Sequence, residues 1–377
     1  VDELINKKIT ICYGPLSWFS ELVEKEKKKL QEEDVAHLLS IVRLLDSKRK
    51  NLLEDDYNIS EEFKIVIAES GSYASLHEHV ITNFVGLLDS FVAEHVYLHN
   101  PPNDVHEQLD RYYDLQVEYY SYPSVKQETL IRFQEDFAKH VVGQSGVKGE
   151  VLISLYPLTR SERTKPMVMM FYGPSGVGKT ETAKLINTIL GGELLRKQFS
   201  MFQDGNFSSY LFGGAHSEAS FAHDLLDRES GVILIDEFDK ANPVFHSAFY
   251  EFFDEGIFED KNYKVRLGSA VIICTSNYKN EDEIRSALGD ALYSRFDRFI
   301  EFEYLSKEEI EQVVDRLTEK YYAQLDVEEK KQLSLSDVKR ETSKIPARIH
   351  QANVRRIGKL IEGIISYMLV DLLLKDA

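Results

Sequence analysis

Two short stretches hold residue types whose order could do chemistry. GPSGVGKT, residues 173–180, fits the spacing G-x-x-x-x-G-K-[ST]. It follows the apolar run VMMFY (168–172) and opens the helical stretch ETAKLINTIL. In such a loop, here Gly173, Pro174, Ser175, Gly176, Val177 and Gly178, the glycines let backbone N–H groups wrap the phosphates of a nucleotide. Lys179 then supplies a point charge to the terminal phosphates, and Thr180 offers its hydroxyl to Mg²⁺. The second stretch is VILIDEFDK, 232–240, an apolar strand that ends in two acids. Asp236 at the strand tip can hold the metal's water shell, and Glu237 can orient and deprotonate an attacking water. An Asp alone would suit a switch or a kinase, whereas the adjacent Glu points to hydrolysis of ATP.

The elements that must position these residues follow from the pattern around them. Apolar segments at 168–172, 193–199, 232–236, 270–277 and 298–302 alternate with helical ones, which predicts a parallel sheet with helices on both faces. From Ser306 onward only helical patterning remains, broken near Ile345-Pro346. Ahead of the sheet, KITICY (8–13) and FKIVIA (63–68) look like strands. Residues 18–53 and 73–99 have helical spacing, and NPPND breaks it at 100–104. The expected division is 1–125, a mostly helical N-terminal domain; 126–305, an α/β nucleotide-binding subdomain; and 306–377, a helical lid. No internal repeat is visible. His77, His79, His95 and His99 cluster in the first domain, but a metal site needs three or four convergent ligands, and helix-surface histidines are the better reading.

Composition sets outer bounds. A formal charge of −18 over 377 residues would repel a phosphate backbone on average, so nucleic acid is not an expected partner. The longest apolar runs are far too short to cross a bilayer, and no secretory signal is seen. The two cysteines, Cys12 and Cys274, imply no disulfide framework, which fits a cytoplasmic setting.

With these motifs in place, residues 126–365 resemble an AAA+ ATPase module, and specifically the second, C-terminal module of the Clp-type protein unfoldases. FAKHVVGQSGVKGEV is similar to the family's segment near the adenine, with Val142 at the contacting position. GPSGVGKTETAK is close to the family's phosphate loop and extends it through Glu181. AVIICTSN ends at Asn277, matching the polar sensor. ALYSRFDRFIEF resembles the arginine-finger segment with Arg295 at the finger position, and ANVRRIGKLIE resembles the lid sensor with Arg355 as its arginine. Arg298 and Arg356 are the respective rivals. The resemblance implies a P-loop NTPase fold with a parallel five-stranded sheet, ATP and Mg²⁺ as cofactors, and a homo-oligomer, a hexamer-like ring or related assembly. In it Arg295 would serve a neighbouring subunit's nucleotide.

Two departures from the family bear on function. Clp-type unfoldases carry a glycine-aromatic-apolar-glycine loop upstream of the paired acids, and LFGGAHSEASF (211–221) lacks that aromatic. Phe212 and Phe221 sit where packing is expected, and His216 is the remaining candidate for a loop-tip contact. The segment between Asn277 and Arg295 leaves little room for a peptidase-docking insertion. Two functions therefore stand side by side. One is an ATP-driven remodeller acting on a protein substrate recruited by the N-terminal domain. The other is a nucleotide-controlled assembly or signalling ATPase that presents that domain to an effector.

Overall fold

The computed structural model describes residues 7–32, 35–51, 62–160, 162–201, 206–348 and 353–375. The expected end of the first helical stretch near Leu53 lies outside them.

The sheet expected around the two motifs forms. Its strands are β6 (Met167–Tyr172), β7 (Leu195–Gln198), β8 (Val232–Asp236), β11 (Val271–Thr275) and β12 (Arg298–Glu301), in the order β12-β6-β11-β8-β7. Every neighbouring pair is parallel. β6, β8 and β11 are buried at every residue, as uninterrupted apolar runs must be when helices cover both faces. Alternation divides them between two cores. Val168, Met170, Ile233 and Ile235 face one, and Met167, Met169, Val232 and Leu234 face the other. An antiparallel hairpin, β9 (Ile257–Glu259) with β10 (Lys264–Arg266), is appended.

Beyond β12 the described residues form helices and no strand, as expected. Helix Lys307–Ala323 starts from a Ser306/Glu309 capping box and packs with helices Leu335–Thr342 and Val354–Lys375 around Ile310, Val314, Val338, Ile357 and Ile361.

In the N-terminal part the structure adds to the expectation. Helical residues outnumber strand residues there, but the organising element is a second five-stranded sheet: β1 (Lys8–Tyr13), β2 (Ala36–His37), β3 (Glu62–Ala68), β4 (Val92–His99) and β5 (Leu115–Tyr119). Its pairs are all parallel and its order is β2-β3-β4-β1-β5. Taken from the other edge this is β5-β1-β4-β3-β2, the same order by position in the chain as β12-β6-β11-β8-β7 in the sheet around the two motifs. The two sheets thus share a strand order although no repeat is visible in the sequence.

Residues 73–99 are likewise not one helical stretch. Short helices end at Asp89, and VAEHVYLH forms β4, where valine, tyrosine and leucine suit a pleated surface packed on both sides. His95 and His99 therefore sit on a strand. His99 is buried, stacks on Phe19 with ring centroids 4.8 Å apart, and has its pKa pushed down to about 4 by burial. Among the described residues, no group of three or more His, Cys, Asp or Glu side chains could hold a metal.

The two sheets meet through a short crossing. A side chain on Gly231, just before β8, would lie 2.2 Å from the Pro123 carbonyl oxygen, so only glycine fits. Arg228 is buried nearby, with its guanidinium 3.7 Å from the Tyr122 ring centroid.

Candidate nucleotide site

β6 delivers the chain to the glycine loop. Gly173, Gly176 and Gly178 have φ of +119°, +73° and +119°, and a Cβ on Gly173 would stand 2.2 Å from the Phe302 carbonyl oxygen. Helix Lys179–Leu190 begins where the loop ends, so its unsatisfied N–H groups and dipole favour an anion there. Lys179 is 8% exposed and folds its amine back on the loop, donating to Gly173 O at 2.6 Å, Pro174 O at 2.7 Å and Asn277 Oδ1 at 3.2 Å. Burial pushes its pKa down to about 8, against the opposing pull of Asp239 and Asp236.

The acids sit one strand away. Asp236, 5% exposed at the tip of β8, accepts from Arg196 Nε at 3.0 Å and from Arg196 Nη2 on its Oδ2. Its Oδ1 accepts from the Thr275 hydroxyl. That hydroxyl oxygen also accepts from the Glu237 amide at 3.0 Å, so one β11 side chain fixes both acids. Glu237 has left-handed backbone angles, φ 57° and ψ 46°, an uncommon conformation for a non-glycine residue. Its Oε2 accepts from Gln198 Nε2 at 3.1 Å, across from β7.

A cleft of about 330 Å³ gathers most of the expected residues: Val142, Ser175, Gly176, Val177, Gly178, Lys179, Thr180, Glu181, Asp236, Glu237, Asn277 and Arg355. Gly173 and Pro174 form the loop's entry, touching Lys179 as above. The lid closes the far side, and its long helix is tied to the loop by Val354 N donating to Gly176 O at 2.9 Å. Arg355 lines the cleft and its rival Arg356 does not. Arg295 stands apart: its Nε donates to Asp254 at 2.8 Å and its guanidinium lies 4.4 Å from the Tyr250 ring centroid. Arg298 is exposed at the start of β12.

Several site residues carry no motif in the sequence. Thr275, Arg196 and Gln198 act through strand adjacency, with Gln198 paired to Asp236 in register. A polar run, RKQ, inside a strand was the only signal. Val141, Leu305, Val313 and Leu317 form an apolar wall with Val142, suited to a base, and Arg316 joins it from the lid. The oxygen donors also suit magnesium, a cation that keeps much of its water and needs only one or two protein oxygens. Thr180 and Asp236 lie in the cleft, and Asp239 Oδ1 is buried with no hydrogen-bond partner among the described residues.

The loop 211–221 is also corrected. His216 is not at a free tip: its Nε2 lies 2.9 Å from Leu76 O, and its side chain is 9% exposed. Phe221 is in the core as expected, whereas Phe212 is 44% exposed.

Residues 164–325 match the family described as AAA domain (Cdc48 subfamily). The chain carries a Clp-type AAA+ ATPase module. It is similar to the chaperone protein ClpB of Tropheryma whipplei (strain TW08/27), 27% identical over 244 residues, covering 57% of this chain and 34% of that protein. It is also similar to the ClpA homolog protein of Fuscovulum blasticum, 30% identical over 228 residues, 52% of this chain and 29% of that one. The chain thus spans about a third of the length of these curated relatives. The fold of the AAA+ module recurs in a closed-state reconstruction of Hsp104 with ATPγS and FITC casein (TM-score 0.56, 14% identity, 99% of this chain and 90% of that one). A second likeness is to the S. cerevisiae Hsp104–ADP complex (TM-score 0.52, 22% identity, 66% of this chain and 49% of that one). Among the described residues, no helix is long and apolar enough to cross a membrane.

Proposed function

We propose that the chain hydrolyses ATP and, as a homo-oligomer, uses the cycle to remodel or take apart a protein partner recruited by its N-terminal domain. One observation carries this reading: Lys179, Thr180, Asp236, Glu237 and Asn277 converge on one cleft closed by the lid. In it Lys179 and the loop amides hold the phosphates, and Glu237, braced by Gln198 and Thr275, takes the proton of the attacking water. Thr180 and Asp236 would hold Mg²⁺, which supplies positive charge to the phosphate oxygens. Asn277 orients the water, and Arg355 contacts the terminal phosphate from the lid. Arg295, outside its own cleft and paired with Asp254, is assigned to the neighbouring copy's nucleotide in a hexamer-like ring. The working division is 1–125 for recruitment, 126–305 for the nucleotide and 306–377 for the lid. The setting is the cytoplasm, without membrane or nucleic-acid contacts and without docking to a Clp-type peptidase.

A second reading, a nucleotide-controlled assembly or signalling ATPase, is favoured by one observation. The loop that would grip a substrate is held by the chain's own N-terminal domain, His216 on Leu76 O. Particle mass and images with and without ATP, alongside phosphate release, test both readings. A strictly monomeric yet fully active ATPase overturns the shared premise. Release of a folded fluorescent substrate decides between them.

A further inference from the structure

The two sheets share more than strand order. β1 ends in Tyr13-Gly14-Pro15 and β6 in Tyr172-Gly173-Pro174. The backbone bonds leaving the two strand ends correspond one to one. Asn100 N donates to Cys12 O at 2.9 Å, as Ser276 N does to Phe171 O at 2.9 Å. Tyr120 N donates to Tyr13 O at 2.8 Å, as Phe302 N does to Tyr172 O at 2.9 Å. Ser70 N donates to His99 Nδ1 at 3.3 Å, as Glu237 N does to Thr275 Oγ1 at 3.0 Å. A Cβ on Gly14 would collide with Tyr120 at 2.4 Å, as one on Gly173 would with Phe302 at 2.2 Å. These equivalences place Glu69 at the position of Asp236 and His99 at that of Thr275.

Where the copies differ is the phosphate loop. In the catalytic copy the helix waits until Lys179, with Gly178 as its cap; in the N-terminal copy helix Leu16–Leu30 starts directly from Pro15. No loop remains to wrap an anion. A carboxylate stands there instead: Leu16 N, in the first turn, donates to Asp227 Oδ1 at 2.9 Å, and the Ser17 hydroxyl donates to Glu229 Oε1 at 2.6 Å. His99 Nε2 lies 3.9 Å from the same Asp227 oxygen. Both acids belong to the catalytic unit, in the segment that leads into β8.

We infer that residues 8–119 are a second copy of the nucleotide-binding core whose anion position is taken by Asp227 and Glu229 of the catalytic unit, making it a docking domain that binds no nucleotide. The chain then holds one nucleotide. The docking acids lie next to Ser230, which accepts from Val232 N at 2.9 Å and bonds to Asn187 on the helix behind the phosphate loop. The docked face is thereby connected to both halves of the catalytic site.

The nucleotide count rests on the proposed ATP site; the docking does not, and the test separates them. Equilibrium binding of ATP with Mg²⁺ to the full Glu237→Gln chain is expected to reach one nucleotide per chain and to vanish in a Glu237→Gln, Lys179→Ala chain. Two per chain, or binding that survives loss of Lys179, overturns the inference. Hydrogen exchange on the full chain reads the docking itself. Asp227→Lys, and independently the exposed-site variant Ser17→Glu, are expected to speed exchange of the Leu16–Phe19 amides by about tenfold or more while β1 stays protected. Unchanged exchange in both variants overturns the docking. Loss of all nucleotide binding in the Glu237→Gln chain overturns the ATP reading, and the exchange rates then decide the docking by themselves.

Discussion

Asn277 Oδ1 accepts a hydrogen bond from the Lys179 ammonium at 3.2 Å, so the side chain proposed as the sensor and the lysine of the glycine loop hold each other. Burial lowers the Lys179 pKa to about 8 from an ordinary 10.5. Below pH 8 the amine is charged and ready for phosphate; above it, binding must first take up a proton. Nucleotide affinity is therefore expected to fall by up to roughly tenfold per unit above pH 8. Calorimetry in buffers of different ionisation enthalpy should show proton uptake near one at pH 9 and near zero at pH 7. The same shift has a stability side. The unfolded chain holds this proton up to 10.5 and the folded chain only up to about 8, so the penalty of the buried charge fades as pH rises between them.

Glu237→Gln removes the proposed base and keeps the shape. ATP binding is expected to persist while turnover falls by roughly 10²–10⁴. Filter binding beside a phosphate-release assay checks it, and surviving turnover would refute the assignment of the acids.

Thr275 joins the two acids through one hydroxyl. Thr275→Val keeps the volume and strands a buried carboxylate oxygen and an amide, at a cost of about 1–3 kcal/mol in unfolding free energy. Turnover should drop with it, and Thr275→Ser should restore most of both. Denaturant melts and steady-state kinetics on the three proteins are the measurement.

Arg295→Ala should lower hydrolysis in the assembled protein by about 10³ or more, the scale of an arginine supplied between subunits. Mixing it with a Glu237→Gln chain should restore turnover at mixed interfaces. Equal rates for the wild type and Arg295→Ala assemblies would rule out the shared site.

Legibility in the sequence followed the range of the contacts. GPSGVGKT and the strand ending in Asp236-Glu237 are local, because turn, charge and helix start lie within a few residues. The roles of Arg196, Gln198 and Thr275 depend on β7, β8 and β11 being neighbours, which no single stretch states. VAEHVYLH follows short helices of similar apolar spacing, so its strand character emerges only from pairing with β1 and β3. The repeat was hidden because Tyr-Gly-Pro is a short shared string, and the phosphate loop that would advertise a second copy is gone. His216 finds its carbonyl 140 residues away, beyond any local pattern.

Gly231 has room for a hydrogen atom and nothing larger beside Pro123. The strap joining the halves therefore bears directly on the root of the strand whose tip holds Asp236 and Glu237. A Gly231→Ala chain would have to push the Pro123 carbonyl aside or shift the first residues of β8.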